Sequence, residues 1–197
     1  SFTTQEFIVI DDFESYNDED NLIYETWADG WVNETGSTVG YLEGPFAETV
    51  IVHGGSQAMP LFYDNADFAI SEADLELSQD WTIGGVKSLS LYFQGDLENS
   101  GGQLYVKING TKVAYDGDAA DISKAMWQPW NIDLSSVGNV SNVSKLTIGV
   151  EGAGASGVVY IDDVRLYPMA PEYVTPTEPD GTSLIARYAF DGNADDG

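Results

Sequence analysis

Apolar and polar residues alternate one by one along most of the 197-residue chain. Such alternation places every second side chain on one face, which is the pattern of a strand with one buried side. Clusters of Gly, Asn, Asp and Ser, which suit tight turns, separate the alternating stretches. Ten strands are predicted in this way, at residues 6–10, 36–43, 48–53, 59–65, 73–78, 88–95, 102–110, 127–135, 145–152 and 157–167.

Short polar turns between these stretches favour antiparallel pairing of the strands. Asn109-Gly110 stands between two alternating stretches and predicts a hairpin. No segment keeps a helical period over three turns, although residues 20–27 and 121–126 could each form a single helical turn. The pattern therefore predicts an all-β protein, an antiparallel β-sandwich of the jelly-roll type.

The character of the sequence changes after Tyr167. The stretch "PMAPEYVTPTEPDGTS" at 168–183 holds four prolines and is typical of an extended linker. The last stretch, "LIARYAFDGNADDG", is too short to form a core of its own. We therefore divide the chain into a sandwich domain at 1–168, a linker at 169–183 and the truncated start of a following domain at 184–197. The phrase "FDGNADDG" resembles the opening of laminin-G-like, concanavalin-type domains.

Composition narrows the possible functions. Hydrophobic residues make up 43% of the chain and aromatic residues 12%, enough for a sizeable core. The net charge of −26 repels phosphate backbones and anionic lipids, so no nucleic-acid partner and no membrane partner is predicted. No apolar run reaches the roughly 18 residues that a membrane-spanning helix needs. The charge indicates solubility in a salty or extracellular setting, binding of divalent cations by some of the acids, or both.

Two acidic stretches interrupt strands that otherwise have the pattern of a core. They are "FIVIDDFESY" at 7–16 and "GVVYIDDVRLY" at 157–167. The first and last strands of a jelly roll commonly lie close together, so we expect the two stretches to meet. Alternation puts Asp162 on the side of Val164 and Leu166 and therefore towards the core, where an uncompensated carboxylate is costly. A bound cation would compensate it; the alternative is that these acids cap turns or face solvent.

Four phrases in this order resemble a known kind of domain: "DDFESY" (11–16), "HGGSQAMPLFYDN" (53–65), "DWT" (80–82) and "YIDDVRLY" (160–167). Together, over residues 6–168, they are similar to jelly-roll, carbohydrate-binding-module-like domains of large secreted bacterial proteins. Such domains often neighbour laminin-G-like domains.

That resemblance implies a structural Ca²⁺ where the first and last strands meet. The positions that match the ligand pattern are Asp12, Glu14 and Asp162. If the match to the ligand pattern is displaced by one residue, Asp11 and Asp163 become the ligands instead. We include Asp163 in the candidate metal set.

Catalytic patterns are weak in this sequence. His53 is the single histidine, and "HGGS" lacks the Gly-x-Ser-x-Gly elbow of an activated serine. Among 33 acidic residues, some pair will always satisfy the spacing of glycosidase carboxylates, so that spacing carries no weight. The protein is therefore predicted not to be an enzyme, with a polysaccharide-active β-sandwich enzyme as the less favoured alternative.

A sugar site needs exposed aromatic rings beside planar polar groups, because the C–H face of a sugar stacks on a ring while its hydroxyls seek hydrogen-bond partners. Two segments supply this mixture, 28–44 and 53–65. The candidate ligand-binding residues are Trp31, Asn33, Tyr41, His53, Gln57, Tyr63 and Asn65. The alternative is that Trp31 closes one end of the sandwich and Tyr63 belongs to the core.

The sequence thus predicts a non-catalytic carbohydrate-binding module with a structural calcium ion. It would bind a polysaccharide or glycan and be covalently linked to neighbouring domains of a larger secreted or cell-surface protein. The alternative is a structural or adhesive module that spaces other domains.

Overall fold

Residues 7–169 are described by the computed structural model, in which two antiparallel sheets pack face to face. The predicted linker and following domain, at 170–197, lie outside the described residues. The strands are β1 (Ile8–Asp11), β2 (Trp27–Ala28), β3 (Ser37–Val39), β4 (Met59–Asp64), β5 (Ile70–Gln79), β6 (Ser88–Gln94), β7 (Gln103–Ile108), β8 (Thr111–Ala114), β9 (Gln128–Asp133), β10 (Val143–Glu151) and β11 (Ser156–Tyr167). The predicted β-sandwich is therefore confirmed.

Sheet A has the order β3-β4-β11-β6-β9, and β1 also pairs with β11. The long strand β11 is its centre. On one side it pairs with β4 through residues 156–161 and then with β1 through residues 164–166, while β6 occupies the other side. Sheet B has the order β2-β5-β10-β7-β8. The predicted neighbourhood of the first and last strands is thus confirmed, since β1 and β11 share hydrogen bonds.

The core lies between the sheets and follows the alternation seen in the sequence. In β4, the side chains of Met59, Leu61 and Tyr63 are buried, whereas Phe62 and Asp64 face outwards. Three tryptophans are among the largest fully buried side chains, Trp27, Trp81 and Trp130. Burying a large apolar side chain contributes roughly 1.5–3 kcal/mol, so these inward rows account for much of the stability of the sandwich.

Helices are few and short. They are α1 (Ile23–Thr26), α2 (Gly30–Asn33) and the 3₁₀ turns Ile83–Gly85, Ala119–Ser123 and Leu134–Ser136. The helical turn predicted at 20–27 is confirmed by α1. No helix within residues 7–169 has the length and hydrophobicity needed to span a membrane.

The strand predicted at 48–53 is wrong. This segment is a loop with one isolated bridge between Glu48 and Ala58. Its apolar alternation does not mark a buried face, because the Val50 side chain is 85% exposed. The Glu48 carboxylate accepts hydrogen bonds from the N–H groups of Val50 (2.5 Å) and Ile51 (3.0 Å), so these amides are satisfied without a neighbouring strand.

Asp11, at the end of β1, is the residue of the first acidic stretch whose side chain contacts the core. A bulge between Val9 and Asp11 interrupts the pairing with β11. The Asp11 carboxylate accepts hydrogen bonds from the indole N–H of buried Trp27 (2.8 Å) and from the Tyr16 hydroxyl. Burial raises the pKa of Asp11, although these donors oppose that effect.

We expect Asp11→Ala to lower the free energy of unfolding by about 2–4 kcal/mol, because the buried Trp27 N–H and Tyr16 hydroxyl lose their acceptor. Urea denaturation measures the loss. Asp12→Ala is the matched control: Asp12 is half-exposed and accepts one long hydrogen bond, from the Glu14 N–H at 3.3 Å. It should change stability by less than about 0.5 kcal/mol. Equal losses in the two variants would contradict this role of Asp11.

Candidate functional site

The two acidic stretches meet across a glycine turn. β1 pairs with the end of β11, with Asp11 opposite Val164. The turn at 53–57, His-Gly-Gly-Ser-Gln, lies against both stretches. A Cβ atom added at Gly55 would lie 2.3 Å from a Glu14 carboxylate oxygen. Gly55 also has a φ of +61°, so glycine suits this position in both respects.

Glu14 holds the second half of the turn. One of its carboxylate oxygens accepts hydrogen bonds from the N–H groups of Ser56 (2.7 Å) and Gln57 (2.9 Å). Desolvation would raise the pKa of Glu14, but these two backbone donors outweigh it and lower the pKa. Glu14 is therefore ionised at neutral pH and fixes the turn from the side of β1.

Asp162 holds the first half of the turn. Its Oδ2 accepts hydrogen bonds from the N–H groups of His53 (2.8 Å) and Gly54 (3.0 Å), and its Oδ1 accepts one from the N–H of Asp163 (2.7 Å). The side chain is fully buried, and this burial is the main reason that its pKa rises to about 6. Nearby Asp163 raises it further, whereas the amide donors lower it.

The direction predicted for the Asp162 side chain is wrong. Asp162 pairs with Tyr92, next to the core pair Ile161 and Phe93, so it points to the outer face of sheet A. Asp163 has a φ of +52° and forms a bulge, which returns Val164 to the core. Strict alternation fails across this bulge. Asp162 is buried by the turn at 53–57 and not by the core.

Asp163 and His53 form a second link between β11 and the turn. The Nδ1 atom of His53 lies 2.7 Å from Oδ2 of Asp163, and Arg165 pairs with the other oxygen. The imidazole ring stacks on Tyr92, with ring centroids 3.4 Å apart, and meets Trp127 edge-on. His53 is thus occupied by contacts within the protein.

The candidate calcium ligands do not fit a metal site as they are arranged. Ca²⁺ takes six to eight oxygen ligands. Glu14 and Asp162 instead face backbone N–H donors, Asp163 pairs with His53 and Arg165, and Asp12 is half-exposed. Within residues 7–169, no three acidic, His or Cys side chains are grouped so that they could hold a metal ion. Calcium binding stays a prediction from the resemblance.

Two of the candidate sugar-binding residues are buried, which corrects the prediction for them. Tyr63 is 2% exposed in the core, and its hydroxyl donates to the carbonyl of Gly101 (2.9 Å). Asn65 is 1% exposed; its amide donates to the carbonyl of Val150 (3.1 Å) and accepts from Ser71 (2.7 Å). Both side chains sit where the chain leaves β4, and neither can reach a ligand on the surface.

Two more candidates serve the scaffold. Asn33 donates to the carbonyls of Ala28 (3.2 Å) and Glu72 (2.8 Å), and so ties α2 to β5. Gln57 donates to the carbonyl of Tyr16 (3.2 Å) and lines a small cavity of about 200 Å³ beside the glycine turn. Their polar groups act mainly inside the protein.

Trp31 is 89% exposed and lines a pocket of about 340 Å³. Phe68, which is 46% exposed, lines the same pocket together with Asp64 and Asp67. Thr38 belongs to the lining as well. The pocket therefore combines two solvent-facing aromatic rings with carboxylate and hydroxyl groups, and Trp31 does not close an end of the sandwich.

The backbone that carries Trp31 is firmly held. Asp29 caps α2, accepting from the N–H of Trp31 (3.0 Å) through one oxygen and from the N–H of Val39 (3.0 Å) through the other. The N–H of Gly30 donates to the Ser37 hydroxyl (2.9 Å). A Cβ atom at Gly30 would lie 2.2 Å from the carbonyl oxygen of Thr35, so only glycine permits this close approach. The exposed indole thus projects from a rigid platform.

Tyr41 lines a second pocket, of about 720 Å³, on the outer face of β3 and β4. Its ring meets Phe62 edge-on, with centroids 5.6 Å apart. Thr38 lines both pockets, and it pairs with Phe62 across β3 and β4. The two pockets therefore adjoin at Thr38; together we call them the β3 groove, with Trp31 at one end and Tyr41 at the other.

Sequence reasoning did not include Phe62, Asp64, Asp67 or Phe68 in the groove. Phe62 and Asp64 occupy alternate positions of a predicted strand, so their outward direction was available from the pattern. Asp67 and Phe68 lie in the turn after β4, where no periodicity indicates direction. Tertiary contacts bring this turn next to Trp31, through the pairing of β3 with β4 and the hydrogen bonds of Gly36 with Asp64 and Ile70.

No protein-family model matches the sequence, and no curated protein sequence matches it. Among solved structures, the chain is similar to an exo-β-agarase, with a TM-score of 0.55, 16% identity and 80% of this chain covered. It is also similar to another agarase, AgWH50C, with a TM-score of 0.54, 10% identity and 81% covered. The matched part spans only 25% and 26% of the length of those two enzymes.

A third similar structure is the family 11 carbohydrate-binding module of Clostridium thermocellum in complex with a β-1,3-1,4-mixed-linked tetrasaccharide. It has 17% identity and a TM-score of 0.49, over 84% of this chain and 97% of that one. At such a score it adds nothing to the fold assignment. At the identities of the two agarases, those likenesses show a shared β-sandwich fold and nothing about activity.

We expect the melting temperature to be the same in EGTA and in CaCl₂, because backbone N–H donors occupy oxygens of Glu14 and Asp162, and His53 and Arg165 occupy those of Asp163, so too few oxygens remain for Ca²⁺. Differential scanning fluorimetry at fixed ionic strength measures it, with MgCl₂ as the control for divalent charge in general. A rise in melting temperature with Ca²⁺ alone, absent in a Glu14→Gln variant, would establish the calcium site instead.

Asp162 also predicts a pH dependence. A carboxyl group whose pKa is raised by folding stabilises the folded state below its unfolded pKa, and this contribution is lost as the pH rises through about 6. Asp162→Asn cannot titrate. We therefore expect the wild type to be more stable relative to this variant at pH 4 than at pH 7, by up to about 3 kcal/mol. Urea denaturation at both pH values measures the difference; a constant difference would be inconsistent with the raised pKa.

Proposed function

We propose that the protein is a non-catalytic glycan-binding module and that the Trp31 end of the β3 groove holds the glycan. The observation that carries this proposal is the exposed Trp31 ring on a hydrogen-bonded backbone, in a pocket that Phe68 also lines. Leaving a large ring in water has no structural benefit, whereas a sugar face packed on it would remove apolar surface from water. Because hydrogen bonds already hold the backbone at Trp31, little backbone conformational entropy would be lost on binding.

The polar groups of the groove match a ligand that donates hydrogen bonds. The carboxylates of Asp64 and Asp67 line the Trp31 pocket and are hydrogen-bond acceptors. The Glu48 carboxylate, at the other end of the groove, is already occupied by the Tyr41 hydroxyl and two backbone N–H groups. Sugar hydroxyl groups are suitable donors to such oxygens. The groove thus offers stacking surfaces and acceptors at neighbouring positions, which is the chemistry that sugar recognition needs.

The charge of the groove favours a neutral glycan. Within residues 7–169, no Lys or Arg lines either pocket of the groove. The lysines of sheet B pair with acids there: Lys107 with Glu72, and Lys112 with Glu151. A uronic acid or sulfate group in the groove would face Asp64, Asp67 and Glu48 without a cation, and like charges brought together oppose binding.

We further propose that the module belongs to a larger secreted or cell-surface protein. The Pro-rich stretch at 168–183 and the net charge of −26 support this setting. A spacer or adhesive module is the alternative. It would bind no polysaccharide, and its other properties would not depend on Trp31.

We expect Trp31→Ala to weaken polysaccharide binding by about 1–3 kcal/mol, by analogy with bases that stack on aromatic side chains. Affinity electrophoresis on neutral β-glucan, xylan, galactan and agarose finds the ligand, and isothermal titration calorimetry then gives the affinity. Val32→Ala is the matched control, because Val32 is 70% exposed on the same helix but does not line the pocket. No binding by the wild type to any polysaccharide, or equal binding by both variants, would refute the proposal.

The expected preference for a neutral glycan is tested with hydroxyethyl cellulose, which is neutral, and carboxymethyl cellulose, which has the same backbone and is anionic. If the module binds β-glucan, it should bind the neutral derivative more tightly. For another backbone, a neutral polymer and its carboxymethylated form make the same comparison. Tighter binding of the anionic form would contradict the proposed preference for a neutral glycan.

A further inference from the structure

The pocket at the Tyr41 end of the β3 groove differs in chemistry from the Trp31 end. Its volume is about 720 Å³, within the range of sites for small organic ligands. Its walls are mainly aliphatic and aromatic, from Tyr41, Leu42, Pro45, Val50 and Phe62. A sugar ring, with hydroxyl groups around its rim, would leave several of them poorly paired against such walls.

The polar groups of this pocket are largely occupied by each other. The Tyr41 hydroxyl donates to Glu48, and burial together with this acceptor raises the pKa of Tyr41, so the phenol stays protonated. The Glu48 carboxylate also accepts from the N–H groups of Val50 and Ile51. The Tyr41 and Phe62 rings fix each other edge-to-face. The floor of the pocket therefore presents ring surface and few free hydrogen-bonding groups.

The rim of the pocket is apolar and open to water. Leu42 is 90% exposed and Val50 is 85% exposed, and both line the pocket. Beside them, Glu43 supplies a carboxylate. An occupant with an aromatic ring would cover these side chains, and a hydroxyl on that ring could donate to the carboxylate. An anionic occupant would be repelled by Glu43 and Glu48.

We propose that this pocket binds a neutral hydroxyaryl acyl ester, carried as a substituent on the glycan chain held at Trp31. The attachment to a glycan rests on the proposed function. It is favoured because Thr38 lines both pockets, so a chain lying on the Trp31 end brings the substituents of the next sugar into this one. Aromatic rings pack well on Tyr41 and Phe62, and the neutral ester avoids the charge of the rim.

The free ester tests the pocket separately from the glycan. The probe is methyl ferulate, and the matched control ligand is the ferulate anion, which has the same ring and a carboxylate. We expect the ester to bind with a Kd on the order of 1 mM, as its size implies, and the anion at least tenfold more weakly. Two-dimensional NMR of the ¹⁵N-labelled protein measures both affinities, and the shifts should centre on residues 41–50.

The double variant Leu42→Asp/Val50→Asp should weaken ester binding at least tenfold. Both side chains are highly exposed, so folding should not suffer, and Leu97→Asp, at another exposed leucine, is the matched control. Trp31→Ala should leave the binding of the free ester unchanged. Absence of ester binding, equal binding of the anion, or full binding by the double variant would overturn the assignment of the pocket.

The link to the glycan is tested with the polysaccharide found by affinity electrophoresis, before and after partial feruloylation of its hydroxyl groups. The esterified form should bind more tightly to the wild type, and the double variant should lose this advantage while keeping its affinity for the plain chain. No advantage of the esterified chain would refute the link alone. If no polysaccharide binds, the glycan function fails and the link with it, while the result with the free ester still decides the pocket.

Discussion

Hydrogen bonds from backbone N–H groups to carboxylates hold the two acidic stretches, at 11–14 and 162–163, against one glycine turn. Glu14, just after β1, and Asp162, in β11, accept hydrogen bonds from adjacent halves of the glycine turn at 53–57. Each carboxylate accepts hydrogen bonds from main-chain donors, which outweigh desolvation at Glu14 and partly offset it at Asp162. Two stretches of like charge can therefore lie side by side in a fold that has few basic residues.

The same turn positions the groove. The chain from Tyr41 to Gln57 runs over the outer face of sheet A, and its fixed points are Glu48, the glycine turn and the stack of His53 on Tyr92. Without these contacts the segment would be a long surface loop with exposed Leu42 and Val50 and no defined shape. With them, it becomes a wall of a pocket. The acidic residues thus affect recognition through the loop that they hold.

Much of the fold followed from alternation alone. Nine of the ten predicted strands coincide with strands of the structure, because each has one apolar face against the core, including β10 and β11, whose central residues are buried on both faces. The exception, 48–53, alternates without any partner strand, since Glu48 satisfies its amides locally. The meeting of the acidic stretches was also predictable, because it depends only on the first strand pairing with the last. The direction of the Asp162 side chain was not predictable, because the bulge at Asp163 places Asp162 and Val164 on opposite faces of sheet A.

The candidate site was predicted less completely. Trp31 and Tyr41 line the groove, but Tyr63 and Asn65 are buried and Asn33 holds the scaffold. A single sequence does not distinguish an amide that faces a ligand from one that satisfies a buried carbonyl, since both lie near turns. Phe68 and Asp67 enter the groove through a neighbouring turn, so their role depends on tertiary contacts between segments far apart in sequence.

The place of β11 at the centre of sheet A sets the order in which the sheet can be completed. β4, β6 and β1 all take hydrogen bonds from this last strand, and β3 reaches it only through β4. During synthesis, sheet A cannot close until residues 156–167 have left the ribosome, although most of sheet B has been made by then. The early strands therefore have unpaired edges until β11 is available to pair with them.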